Sequence, residues 1–286
     1  MSPSSHSRRR AVAALAAVPL ALAASPAAGA GPRPRRRTLH VAGDSTAAQK
    51  YASAAPETGW GMALPFFLAP HLAVANHALN GRSSLSFIEE GHLRTVLAAL
   101  RPGDWLLIQF GHNDAKDDAR HTDPWTTYQD CLSRYVRGAR SRGARPVLLT
   151  PVERRRFDAL GNAVTTHGDY PAAMRELAAD EGVELVDLQA TTMALWQELG
   201  PDASKDCFLW LKPGESPNYP QGVSDNTHLV PHGAVEVARL AADGLRRRVL
   251  AARDVRRLDE EIPPERIVWP PDAGARTGEA PPVVHT

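Results

Sequence analysis

Short apolar segments alternate with longer amphipathic segments along most of the chain. In the amphipathic segments SSLSFIEEGHLRTVLAAL, TTYQDCLSRYVRGARSRG and DYPAAMRELAADEG, apolar residues recur every three or four positions, which predicts helices. Apolar strands that alternate with helices are typical of a parallel sheet covered on both faces, so the pattern predicts an α/β fold. The predicted strands are TLHVAG (38–43), LAVANHA (72–78), DWLLIQFG (104–111), RPVLLTP (145–151) and VELVDL (183–188).

The first thirty residues have the layout of a secretory signal peptide. A basic start, MSPSSHSRRR, precedes the apolar run AVAALAAVPLALAA and the small residues AGA. An uncleaved membrane anchor is the alternative, but the apolar run is short for a membrane span. The arginines 8–10 also resemble a twin-arginine signal. We therefore expect a secreted or extracytoplasmic protein.

The rest of the chain is predicted to form one domain with a linker and a tail. The 286 residues are 43% hydrophobic, enough for one substantial core. Residues 31–37 are a basic linker, and 38–253 form the domain, closed by a helix within HGAVEVARLAADGLRRRVLAAR. Residues 254–286 are rich in proline and are expected to be an extended or disordered tail.

Charge and composition exclude some classes of partner. The net charge is +1, and no basic block in the body of the chain resembles a nucleic-acid footprint. No later segment is apolar enough to cross a membrane, so we expect a mature form without membrane contact. We also expect a monomer. Cys131 and Cys207 either form a disulfide in an exported protein or remain buried thiols, and the sequence leaves both possibilities open.

Three polar loops follow the first three predicted strands. They contain Asp44-Ser45, Asn80-Gly81 and the segment 111–114, which reads GHND. Ligands of open parallel sheets bind outside the carboxyl ends of the strands, where these loops are expected to converge. The sequence therefore places the candidate site at this edge.

A serine nucleophile needs a base, and the segment SDNTHLVPHG offers one. Asp225 and His228 are three residues apart, so a tight turn would let the carboxylate hold the imidazole while its other nitrogen faces Ser45. Asp44 adjoins Ser45, but adjacent side chains on an extended segment diverge. We interpret Asp44 as a structural acid that binds backbone amides of its own turn.

Acyl transfer also needs hydrogen-bond donors for the oxyanion. The backbone amides of Ser45 and Gly81 and the side-chain amide of Asn113 are neutral donors on the three converging loops. Taken singly, each residue is also typical of an ordinary turn; their joint order favours an active site.

Four blocks, GDST (43–46), Gly81 in LNGRSS, GHND (111–114) and DNTH (225–228), resemble those of the SGNH, or GDSL-type, hydrolases. The resemblance implies a three-layer α/β/α sandwich with a five-stranded parallel, flavodoxin-like sheet. It also implies that Ser45 is the nucleophile, that His228 and Asp225 are the base and its orienting acid, and that Ser45, Gly81 and Asn113 form the oxyanion hole.

A narrower resemblance, to rhamnogalacturonan acetylesterases, rests on GDSTAA, GWGMALPFFL, NHALNGRSSLSF and PGESPNYPQGVSDNTH. It implies a metal-independent serine esterase without a cofactor that removes acetyl groups from an acetylated pectic polysaccharide. The alternatives are another esterase of the family, such as a xylan acetylesterase or a short-chain lipase, or a non-catalytic carbohydrate-binding protein.

A galacturonate-containing substrate would favour cations near the cleft. Arg82 and Arg154 lie on the predicted loops after strands two and four, and a guanidinium binds carboxylates through its planar fork. A solvated basic loop is the alternative for both. Trp210, just before a Pro-Gly turn, is the aromatic residue that we expect in the cleft, whereas Trp60, Phe66 and Phe67 are expected in the core.

Overall fold

The fold is built on a five-stranded parallel sheet. The computed structural model describes residues 36–272, so the predicted signal peptide (1–30), most of the linker and positions 273–286 lie outside the described residues. Strand order is β2-β1-β3-β4-β5, which confirms the predicted parallel sheet. The strands are β1 (Arg37–Gly43), β2 (Leu72–Asn76), β3 (Trp105–Gln109), β4 (Arg145–Leu149) and β5 (Glu184–Val186).

Helices cover the two faces of this sheet and complete three layers. One face packs against α1, α6 and α7, and the other against α2 to α5. All five residues of β3 are buried, including the polar Gln109, and the apolar run WLLI is typical of a central strand. The helices are α1 (Trp60–Ala63), α2 (Ser84–Glu89), α3 (His92–Ala99), α4 (Gln129–Ser141), α5 (Tyr170–Asp180), α6 (Leu188–Ala203) and α7 (Pro231–Arg248).

Two parts of the secondary structure differ from the prediction. The helical pattern over 83–100 is divided into α2 and α3, because Gly91 has a φ of 82° and begins a new helix. An antiparallel hairpin, β6 (Phe208–Leu211) and β7 (Val223–Leu229), was not predicted. Its second strand, VSDNTHL, is mostly polar and therefore lacks the apolar signal of a strand.

The packed chain continues beyond residue 253, where the sequence predicts that a tail begins. Ile262 and Ile267 are buried in the core, and the Trp269 indole donates to the Glu57 carbonyl at 2.8 Å. These apolar residues are separated by prolines and charges, so they follow neither the helical nor the strand period. Over residues 36–272, no helix is both long enough and apolar enough for a membrane crossing.

Candidate active site

The three predicted loops meet at the carboxyl edge of the sheet. β1 pairs with β2 on one side and with β3 on the other, so the segments after these strands are neighbours. Ser45 follows β1, Gly81 follows β2 and Asn113 follows β3. The strand order reverses between β1 and β3, the point at which open α/β sheets bind ligands.

Ser45, His228 and Asp225 form a continuous hydrogen-bonded chain. His228 Nε2 is 3.0 Å from Ser45 Oγ, and His228 Nδ1 is 2.7 Å from Asp225 Oδ2. The Ser45 residue is 8% exposed, and the His228 side chain is 29% exposed. This is the spacing in which an imidazole can accept the proton of an attacking hydroxyl while a carboxylate holds its other nitrogen.

An irregular stretch of β7 brings Asp225 and His228 together. Residues three apart on a regular strand would point to opposite faces. The register between β6 and β7 is shifted here, and Asp225 Oδ1 accepts from the backbone amides of Thr227 at 2.6 Å and His228 at 3.0 Å. The carboxylate therefore closes its own turn with one oxygen and holds the imidazole with the other.

The surroundings of Asp225 and His228 shift their pKa values in opposite directions. Burial by itself raises the pKa of Asp225, but hydrogen bonds from His228 and Thr227 outweigh it and lower the pKa to about 2. Burial lowers the pKa of His228, but the hydrogen bond to Asp225 and the charge of Glu57 outweigh it, so the pKa lies above the ordinary value of 6.5. Asp225 is thus an anion across the neutral range and favours a positive charge on His228.

The three predicted oxyanion donors have hydrogen-bonding capacity to spare. Within residues 36–272, the backbone amides of Ser45 and Gly81 donate to no other residue. Gly81 has a φ of 74°, which favours glycine. Asn113 Nδ2 donates one hydrogen to the Arg82 carbonyl at 3.0 Å and has a second to offer.

Asp44 is fully buried and bound within its own turn. Its Oδ1 accepts from the amide of Thr46 at 2.9 Å and the hydroxyl of Thr46 at 2.8 Å, and its Oδ2 lies 3.0 Å from His112 Nδ1. Burial raises the pKa of Asp44, but these contacts lower it to about 2. The turn contact is the one that the sequence predicts. Through His112, the same carboxylate also joins the loop of Ser45 to the loop of Asn113.

The predicted substrate contacts already have protein partners. Arg82 forms a salt bridge with Glu90 at 2.8 Å and donates to the Asn80 carbonyl at 2.9 Å. The guanidinium of Arg154 donates to the His112 carbonyl at 3.1 Å, so it braces the loop of Asn113 from behind.

Trp210 is half-buried on β6, next to the strand of His228. Its indole nitrogen donates to Asn226 Oδ1 at 3.1 Å, and the guanidinium carbon of Arg155 lies 5.1 Å from the ring centroid. Trp60 and Phe67, predicted for the core, are fully buried, and Phe66 packs partly buried against it.

Sequence reasoning missed three charged residues at the site. Glu57 Oε1 lies 4.0 Å from His228 Nε2, and Lys50 Nζ lies 2.6 Å from that same oxygen. Arg120 donates to the Gly81 carbonyl and to Asn113 Oδ1, so it contacts two of the three predicted loops. Lys50, Glu57 and Arg120 do not stand at a motif spacing from the triad residues, so no sequence signal marks them. In the described part of the chain, no three His, Cys, Asp or Glu side chains gather in a way that could hold a metal ion.

Comparison with known proteins gives one consistent family. The profile of the GDSL-like lipase/acylhydrolase family matches residues 41–234. The chain is 44% identical over 216 residues to the rhamnogalacturonan acetylesterase RhgT of Bacillus subtilis, which covers 76% of this chain and 92% of that protein. It is 27% identical over 226 residues to the rhamnogalacturonan acetylesterase of Emericella nidulans, covering 71% of this chain and 82% of that protein.

Solved structures agree with the three-layer architecture. The crystal structure of Bacillus subtilis YxiM aligns with a TM-score of 0.65 at 28% identity, over 74% of this chain and 56% of that chain. A mutant of the acetylxylan esterase Axe2 from Geobacillus stearothermophilus aligns with a TM-score of 0.51 at 18% identity, over 74% of this chain and 93% of that chain. The second alignment bears on the fold alone.

Proposed function

Because this chain belongs to the GDSL-like lipase/acylhydrolase family and is a carboxylic ester hydrolase, we propose that it removes O-acetyl groups from rhamnogalacturonan, a plant cell-wall polysaccharide. The observation that carries the mechanism is the 3.0 Å contact between His228 Nε2 and Ser45 Oγ, with Asp225 behind the imidazole. Two Bacillus subtilis relatives support the substrate, the rhamnogalacturonan acetylesterase RhgT at 44% identity and YesY, named a probable rhamnogalacturonan acetylesterase, at 39% identity. We also propose that residues 1–30 direct export.

In the proposed reaction, Ser45 Oγ attacks the acetyl carbonyl carbon and His228 takes the serine proton. The carbonyl oxygen becomes an oxyanion that accepts hydrogen bonds from the amides of Ser45, Gly81 and Asn113. The C–O bond to the sugar then breaks, and His228 gives its proton to the departing sugar oxygen. Water hydrolyses the acetyl-enzyme by the same two steps and releases acetate.

Three residues near the site are proposed to contact the sugar. Trp210 is the strongest candidate for a sugar contact, because it is half-buried on the hairpin that carries His228. The salt bridge of Arg82 with Glu90 is exposed, so a substrate carboxylate can compete for that guanidinium at little cost. Arg154 is more deeply enclosed, so we propose that it supports the loop of Asn113 as well as any bound carboxylate.

Replacement of the nucleophile is the first prediction. Ser45→Ala should reduce release of acetate from an aryl acetate by at least about 10⁴-fold, because within residues 36–272 no other hydroxyl is hydrogen-bonded to His228. The measurement is single-turnover and steady-state hydrolysis, together with covalent labelling by a fluorophosphonate. Ser141→Ala is the matched control, since the Ser141 hydroxyl is exposed and donates to the Gly138 carbonyl of its own helix, and this variant should retain both activity and labelling.

Acetate release from acetylated rhamnogalacturonan, acetylated xylan and an aryl octanoate tests the substrate, with Ser45→Ala as the blank. The proposal expects the pectic polymer to give the highest kcat/KM. Preference for xylan or octanoate would reassign the enzyme within its family. A wild-type protein that binds the polymer but releases no acetate and takes no label would contradict catalysis itself.

A further inference from the structure

The loop that follows the GHND segment returns to its own beginning. The Thr122 amide donates to the Asp114 carbonyl at 3.0 Å, and the Thr122 hydroxyl donates to Asp114 Oδ1 at 3.1 Å. The Tyr170 hydroxyl is within hydrogen-bond distance of two backbone carbonyls, that of Asp114 at 2.8 Å and that of Thr122. Residues 115–121 therefore form a closed loop with a fixed base, and Arg120 is brought back beside Asn113.

Arg120 contacts the two loops that carry Gly81 and Asn113. Its Nη1 donates to the Gly81 carbonyl and to Asn113 Oδ1, each at 3.3 Å. The other side of the guanidinium is held by Asp118, with Nε 2.9 Å from Oδ1 and Nη2 2.5 Å from Oδ2. The planar fork can bind a carboxylate with two nitrogens while the third reaches the oxyanion loops.

The orientation of the Asn113 amide depends on these partners. The oxygen and nitrogen of an asparagine amide have nearly the same shape, so hydrogen-bond partners decide which one faces the site. Arg120 donates to the oxygen, while the Arg82 carbonyl accepts from the nitrogen at 3.0 Å. Both contacts select the orientation that leaves an N–H available for an oxyanion.

We propose that Arg120 is a positioning residue for the oxyanion hole, which acts by orienting the Asn113 amide and by fastening the Asn113 loop to the Gly81 loop. The inference rests on the proposed function. A hydrogen bond from a cation is stronger than one from a neutral donor, and it polarises the amide toward donation. The guanidinium also places a positive charge on the oxygen side of the Asn113 amide, whose nitrogen is the proposed donor to the oxyanion.

Two simpler roles fit the contacts less well. An exposed Arg–Asp pair that only braces its loop contributes little and requires no contact with Gly81 or Asn113. Binding of a substrate carboxylate at the exposed fork would not require the contacts of Arg120 Nη1 with the Gly81 carbonyl and with Asn113 Oδ1. The first role would affect only stability, and the second would mainly raise KM for the charged polymer.

A double-mutant cycle tests the inference with an aryl acetate, which has no sugar carboxylate. Arg120→Ala is expected to lower kcat by roughly ten- to a hundredfold with KM changed less than about threefold, since loss of a whole oxyanion donor costs about 10²–10³ in kcat. Asn113→Ala is expected to give that larger loss. In the Asn113→Ala background, Arg120→Ala should lower kcat by only about threefold further, because the amide that it orients is missing and only the contact with the Gly81 loop is left to lose.

The controls separate this inference from the proposed function and from folding. Lys116→Ala removes an exposed cation from the same loop and should leave kcat unchanged. Asp118→Asn is the second variant, because it retains the charge of Arg120 but weakens the contact that fixes the guanidinium in place. It should lower kcat less than Arg120→Ala does. Melting temperatures are measured for every variant.

Equal losses of kcat from Arg120→Ala with and without Asn113, or wild-type kcat in both Arg120→Ala and Asp118→Asn, would overturn the positioning role while Ser45→Ala remains inactive. Activity retained in Ser45→Ala would instead overturn the proposed function. A KM effect on the polymer alone, with kcat for the aryl acetate intact, would replace positioning by substrate binding.

Discussion

His228 lies between two carboxylates that act on opposite sides of its imidazole. Asp225 bonds Nδ1 at 2.7 Å, and Glu57 Oε1 lies 4.0 Å from Nε2, the nitrogen that faces Ser45. Lys50, whose side chain is 2% exposed, pairs with Glu57 at 2.6 Å and donates to Asn80 Oδ1 at 2.6 Å. Asp225, Glu57 and Lys50 therefore all act on the charge of the imidazole. The positive charge of Lys50 partly offsets the rise in the His228 pKa that Glu57 causes.

The pH profile should report Glu57. A base must be neutral, so kcat/KM for an aryl acetate falls as the pH drops through the pKa of His228, which lies above 6.5 in the wild-type protein. Glu57→Gln removes a charge that raises this pKa and leaves Lys50, which lowers it. The acid limb should therefore move to lower pH, since charges 4 Å apart interact strongly even when partly screened.

Glu236→Gln is the matched control for that profile. Glu236 also pairs with a cation, Arg239 at 3.3 Å, but it lies on α7 away from the imidazole, so its acid limb should coincide with that of the wild type. An acid limb that stays in place in Glu57→Gln would show that Glu57 does not act on the His228 charge.

Residues that act through fixed spacing could be predicted from the sequence, and residues that act through tertiary contact could not. Asp225 and His228 are separated by three positions and belong to a local turn, so their pairing is visible in DNTH. Glu57 and Lys50 approach His228 from a separate loop, and Arg120 reaches Gly81 only because residues 114–122 close on themselves. Nothing in the spacing of these residues records such contacts.

At the scale of elements, the hairpin β6–β7 and the helix α7 hold His228 in place. Gly233, in the first turn of α7, packs against the backbone of Cys207, next to the start of β6, so closely that a Cβ would lie 2.0 Å from the Cys207 carbonyl oxygen. The Val230 amide also donates to this oxygen at 3.2 Å. The hairpin could not be predicted because β7 is mostly polar, whereas the five strands of the parallel sheet could be predicted from their apolar runs.

Gly233→Ala should therefore reduce both stability and turnover. The added methyl must push α7 from the backbone of Cys207, which displaces Leu229 and the adjacent His228; we expect a loss of about 2–4 kcal/mol in the free energy of unfolding. Thermal and urea unfolding measure the loss, and kcat for an aryl acetate should fall with it. Gly138→Ala, on α4, is the control, because its Cβ would meet only the side-chain end of Leu97, which can turn away. Equal melting temperatures for the two variants would contradict the close approach at Gly233.

At the scale of the whole molecule, the sheet divides the apolar interior into two clusters. One includes α7 and the segment before β6, and the other includes α4 and α5. This division follows from buried strands whose side chains alternate between faces, so the layered fold could be predicted from the apolar runs. The packing of Ile262 and Ile267 could not, because a proline-rich segment that docks on a core has no period of its own.

The same division decides the state of the two cysteines, which the sequence leaves open. Cys131 is buried in the cluster of α4 and Cys207 in the cluster of α7, and both are free thiols. A disulfide needs Cα atoms within about 7 Å, whereas layers on the two faces of a sheet are about 20 Å apart. Burial also raises the pKa of both thiols, that of Cys207 to about 12, so neither is a ready nucleophile.

Reduction should consequently leave stability unchanged. A disulfide between these positions would close a long loop and contribute about 4 kcal/mol, or roughly 10 °C in melting temperature for a domain of this size. We expect the melting temperature with millimolar dithiothreitol to agree with that under oxidising conditions within about 1 °C. Ellman's reagent should find two thiols in urea and react slowly with the folded protein. A melting temperature that falls by several degrees on reduction, or no thiol in urea before reduction, would mean that the cysteines pair and that the chain arranges its two clusters differently.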